Sequence, residues 1–113
     1  MSSKRTAALA ACARQEGAEL SYPFGEQAAV YKVAGKIFAV VGVQDTPPRI
    51  TLKCEPEPER GEALRSEHAA IMPGYHMNKR HWITVTLDGS LPQTLIDELV
   101  EDSFGLVAPR KRR

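Results

Sequence analysis

The 113 residues suffice for one compact domain and are too few for two ordinary ones. A hydrophobic share of 42% and a charged share of 26% match a soluble globular protein, and no apolar run approaches the roughly 20 residues a membrane helix needs. The net charge of +1 excludes a strongly basic chain: Arg110–Arg113 carry four positive charges, leaving residues 1–109 at −3.

Residues 3–15 are predicted to form the first helix, rich in alanine, capped by Ser2, Ser3 or Thr6 and ended by Gly17. The Ala7–Ala13 run holds a single leucine among small residues, too weakly apolar for an export signal. Leu20–Gly25 reads as an extended link, because Pro23 forces Tyr22 out of the helical region. Tyr22 and Phe24 are expected to plug the edge of the core.

Ala29–Val33 and Lys36–Val43 are β-rich runs around Ala34-Gly35, which predicts a hairpin. The second run is nearly all apolar, as in a strand near the centre of a sheet. After the Asp45–Pro48 turn, Arg49–Cys54 alternates, with Ile50, Leu52 and Cys54 inward and Thr51 and Lys53 outward. The prolines and acids of Glu55–Glu59 suit a helix start, and a helix is expected from about Glu57 to Ala70. Its apolar spacing runs through Ala63, Leu64, His68 and Ile71.

Met72–Trp82 concentrates two of the three histidines, two of the three methionines, the only tryptophan and a Lys-Arg pair. It leads into a strand, Trp82–Leu87, with Ile83, Val85 and Leu87 on one face and Trp82, Thr84 and Thr86 on the other. The last helix is opened by Ser90 as cap with Pro92 in its first turn, and it buries Leu95, Ile96, Leu99, Val100 and Ser103. Pro109 stops it. The order α-β-β-β-α-β-α predicts an α+β fold, an antiparallel sheet with helices packed on one face. Residues 1–108 are read as one domain and 109–113 as a basic, disordered tail. The outward sheet face is expected to carry Thr51, Lys53, Trp82, Thr84 and Thr86.

Catalysis and metal binding find little support. Cys54 as nucleophile would need His76 or His81 as base, and nothing brings them within reach. His68, His76 and His81 match no strong ligand spacing, and Glu55, Glu57, Glu59, Asp97, Glu98, Glu101 and Asp102 read as solvated faces. Cys12 and Cys54, far apart and without a CxxC pairing, read as reduced thiols of a cytoplasmic protein. No cofactor is expected, and the chain is read as non-enzymatic.

Tyr22-Pro-Phe-Gly-Glu26, Val30–Ala39, Leu52-Lys-Cys-Glu-Pro56, Pro73–Lys79 with His81-Trp82, and Ser103–Val107 together resemble the MmcQ/YjbR family. The resemblance extends from about residue 18 to 108. It implies a small bacterial, cytoplasmic protein of CyaY-like fold that binds DNA, the family's sheet being likened to a double-wing motif. Where the family usually has Ser-Tyr, this chain has Ser103-Phe104, one hydroxyl fewer.

For DNA, Lys36, Lys53, Lys79 and Arg80 would meet phosphates, while His76, Asn78 and His81 would donate or accept hydrogen bonds. Tyr75 and Trp82 would stack on unpaired bases. The structural alternative is that Tyr75 and Trp82 pack the sheet, His76 and Asn78 tie down a loop, and the lysines are solvated. A second functional reading is a non-catalytic module for a protein partner or small anionic ligand, held by Lys53, His76, Asn78 and Lys79 beside Trp82. A monomer is expected.

Overall fold

The computed structural model describes residues 3–23, 25–42, 47–53, 58–73 and 82–109. Its strands are β1 (Glu19–Ser21), β2 (Ala28–Val33), β3 (Lys36–Gly42), β4 (Arg49–Lys53), β5 (Ile71–Pro73) and β6 (Trp82–Thr86). Its helices are α1 (Ser3–Ala13), α2 (Pro58–Glu67) and α3 (Gln93–Val107). The strands form one sheet in the order β1-β2-β3-β4-β6-β5, every neighbour antiparallel. The fold is α+β, as the element pattern predicts.

The hairpin falls where the sequence puts it. Ala34 and Gly35 have φ of 52° and 81°, the two positive values a type I′ turn requires. Beyond that turn β3 carries a bulge. Tyr31 pairs with Ala39 but Lys32 pairs with Ile37, so Phe38 is the extra residue.

Phe38 thereby turns into the core, fully buried, edge-on to Phe104 at 5.4 Å and tilted against Tyr31 at 6.3 Å. α1 and α3 lie together on this side, and the core gathers Ala8, Ala11, Cys12, Val41, Ile50, Leu52, Ile83, Val85, Leu99 and Val100. The Tyr31 hydroxyl donates to the Leu9 carbonyl at 3.3 Å and so fastens α1 to the sheet. A half-exposed Arg14–Asp97 pair at 3.8 Å joins α1 to α3 and adds little in solvent.

Several expectations change: Tyr22, for one, is 48% exposed and does not plug the core, and Phe24 lies outside the described residues. The link after α1 contains a strand, β1, because Glu19, Leu20 and Ser21 pair with Lys32, Tyr31 and Val30. The second helix is shorter than its spacing suggested. Ile71 lies in β5 and Ala63 is exposed, since the chain turns at His68 and the Ala70 carbonyl accepts from the Thr86 amide at 2.8 Å. Pairing with β6 outweighs helical periodicity there. Finally, Ser90 does not cap α3, which starts after Pro92 with no side-chain cap. Ser90 instead donates its amide and hydroxyl to Asp88 Oδ1, at 3.0 and 2.7 Å, and these bonds hold the Asp88 carboxyl below its usual range.

Cys12 is a free thiol sealed under α1, and burial pushes its pKa up to about 12. Cys54 lies outside the described residues. The native state therefore keeps the Cys12 proton at pH values where the unfolded chain, near its ordinary 9.0, has released it. Stability is expected to be intact below about pH 9 and to fall by about 1.4 kcal/mol per pH unit as pH rises toward 12. Alkaline urea titrations of the protein and of Cys12→Ala should differ in that slope, whatever their stabilities at neutral pH. Equal slopes would refute the assignment.

Candidate nucleic-acid interface

Alternation sorts the sheet into two faces. In β4 the inward residues are Ile50 and Leu52; in β6 they are Ile83 and Val85, all buried in the core. Arg49, Thr51 and Lys53 and then Trp82, Thr84 and Thr86 therefore face away from the helices. Register extends this outer face to Val40 and Ile37 of β3, to Val30 and Lys32 of β2, and to Glu19 and Ser21 of β1. Val30, Val40 and Ile37 stand apart from the core cluster on the helix side.

The middle of this face is closed, contrary to the expected open surface. Thr51 and Thr84 are only 7% and 1% exposed. They sit directly opposite one another, and their hydroxyls hydrogen-bond at 2.9 Å, which offsets the cost of burying two polar atoms. Lys53, Trp82, Arg49 and Thr86, at the two ends of the same strands, are half-buried.

Ser103 sets the end that holds Lys53. Its hydroxyl, fully buried, accepts from the Lys53 amide at 2.9 Å and donates to the Phe38 carbonyl at 2.6 Å. It thus bridges β4 and β3 where the bulge interrupts the ladder. Because the Lys53 amide points toward β3, Lys53 and Trp82 form a non-hydrogen-bonded pair across β4 and β6, the kind whose side chains approach most closely.

The structure brings Lys53 and Trp82 together. It places Lys36 elsewhere: plain alternation along β3 would put it on the outer face, but the bulge inverts it. Lys36 pairs with Val33, a core residue, at the tip of the hairpin on the helix side. Tyr75, His76, Asn78, Lys79 and Arg80 lie outside the described residues, as do His81 and the Arg110–Arg113 tail. Two cations were missed, Arg49 and Lys32. Arg49 was legible, since it alternates with Thr51 and Lys53; Lys32 depends on the bulge and on pairing with Glu19 and Ile37.

Charge differs between the outer sheet face and α3, while α1 beside α3 carries Lys4 and Arg5. The outer sheet face holds Lys32, Arg49 and Lys53 against Glu19, whereas α3 carries Asp97, Glu98, Glu101 and Asp102 and no basic residue. Lys32 and Lys53 make no ion pair among the described residues. Among the described residues no group of three or more His, Cys, Asp or Glu is placed to hold a metal, and no helix is long and apolar enough to cross a membrane.

Comparison with known proteins yields a consistent set of relatives. The YjbR family model matches residues 13–106. YjbR of Escherichia coli K12 is 41% identical over 93 residues, covering 82% of this chain and 77% of its own length. YbdF of Escherichia coli O157:H7 is 38% identical over 89 residues, covering 79% and 71%. In solved structures, the Deinococcus radiodurans protein DR2400, with a DUF419 domain, superposes with a TM-score of 0.80 at 40% identity, covering 87% of this chain and 73% of that one. A Pseudomonas syringae protein superposes with a TM-score of 0.75 at 30% identity, covering 95% and 99%.

Proposed function

Since the chain belongs to the YjbR family, we propose that it is a non-enzymatic DNA-binding protein whose contact surface is the outer sheet face and the 75–82 segment. The observation that carries this reading is the excess of cations on the sheet face, Lys32, Arg49 and Lys53 against Glu19, whereas α3 presents four carboxylates and no cation of its own. A polyanion approaching the sheet meets positive charge, and the same polyanion is repelled from α3. Lys32 and Lys53 are half-buried, as suits lysines whose stems pack on apolar surface while the charged heads stay in water.

The test is titration of labelled DNA at two salt concentrations, with the full chain and with a chain ending at Pro109. Binding should survive loss of the tail. Its logarithm should fall against the logarithm of salt with a slope of about −2 to −3, reflecting a few phosphate contacts. Binding that vanishes with Arg110–Arg113 would overturn the assignment to the sheet.

A further inference from the structure

One end of the outer face has a composition that selects among nucleic acids. One residue beyond the inward positions Tyr31, Leu52 and Ile83, and two beyond Ala39 because the bulge inserts Phe38, the register pairs Lys32 with Ile37 and Lys53 with Trp82. The four positions therefore share one margin of the sheet, and all four are half-buried. Lys32 in β2 and Lys53 in β4 are separated by two strand spacings, about 10 Å. Ile37 of β3 lies between them on the same face, outside the core cluster. Among the described residues Trp82 ends the row.

From this arrangement we infer that the Lys32–Ile37–Lys53–Trp82 margin takes a single nucleic-acid strand crossing the β-strands, its phosphates at the two lysines and a base stacked on Trp82. The inference rests on the DNA-binding reading above and narrows its substrate. An aromatic face engages a base only where that base is out of a duplex stack, so a lone tryptophan beside lysines favours unpaired nucleotides. Groove reading needs side chains that reach base edges, and the centre of this face, Thr51 and Thr84, is buried. Lys32 and Lys53 share this end of the face, whereas Arg49 lies at the other end of β4. Glu19, facing Lys32 from β1, is the one acid on this face among the described residues and works against the strand.

Trp82 is the only tryptophan, so its fluorescence reports this site alone. Short oligothymidylate should quench it, and a duplex of equal length should not. Measured by anisotropy of a labelled oligonucleotide, Trp82→Leu should lose about 5- to 150-fold in affinity, while Trp82→Tyr, which keeps a stacking face, should retain most of it. Lys32→Ala and Lys53→Ala should each reduce the salt slope by about 0.7, and Glu19→Gln should tighten binding. Lys4→Ala, on the helix side, should leave affinity unchanged. Duplex bound as tightly as single strand, without quenching, would overturn the inference and leave the DNA reading standing. Loss of all nucleic-acid binding would overturn both. Quenching by inorganic phosphate or a mononucleotide as strong as by the oligonucleotide would assign the margin to a small anion instead.

Discussion

Ser103→Ala is expected to destabilise the protein by about 1–3 kcal/mol, although it removes one oxygen and almost no volume. The hydroxyl accepts from the Lys53 amide, and it also satisfies the Phe38 carbonyl. Alanine leaves both groups without it in a site where Ser103 itself is fully buried, so water has no ready access. The loss should appear in urea unfolding as a lower midpoint with an unchanged slope. A second readout isolates the cause: hydrogen exchange at the Lys53 amide should accelerate more than at the amides of Ile50 and Leu52. If stability and Lys53 protection both persist, β3 and β4 close on each other directly and the bridge has no energetic role. Because Lys53 is paired with Trp82, the same substitution should loosen the candidate binding margin.

Phe38→Ala should cost more, about 3–5 kcal/mol, a large part of the roughly 5–15 kcal/mol that holds such a domain together. Phe38 is fully buried between Tyr31 and Phe104. Its removal opens a cavity at the junction of α3 with the sheet, which rigid strands on one side cannot refill. Phe38→Leu, closer in volume, should cost distinctly less. The edge-to-face contact with Phe104 is measurable by a double-mutant cycle, with an expected coupling of about 0.5–1.5 kcal/mol. Zero coupling would mean that the two rings contribute only their separate burial. If Phe38→Ala proves too unstable to purify, the Leu variant and Phe104→Leu support the same cycle.

Where the sequence was explicit, the physics was local. Ala34-Gly35 between two β-rich runs could hardly be anything but a hairpin turn, and the alternation in Arg49–Lys53 and Trp82–Thr86 assigned faces correctly. The last helix was equally plain from Ile96, Leu99, Val100 and Ser103. What escaped was set by tertiary pairing. β1 and β5 are too short to show a period, and Ile71 fits a helical spacing as well as it fits a strand. The bulge at Phe38 adds one residue without any glycine to announce it, and that residue reverses the faces of Ile37 and Lys36. Hence Lys36 looked like a partner of Lys53, whereas Lys32 is the cation on that side. The closed centre was illegible for another reason: a threonine's hydroxyl argues for solvent until its partner, here another threonine 33 residues away, is known.

The two outermost strands have a consequence for how molecules of this protein meet one another. β1 and β5 each present three residues at the margin of the sheet, and Pro73 in β5 has no amide hydrogen to offer. A neighbour adding a strand there would gain only a few hydrogen bonds before running out of template. Among the described residues the sheet therefore offers a second copy little template at either edge.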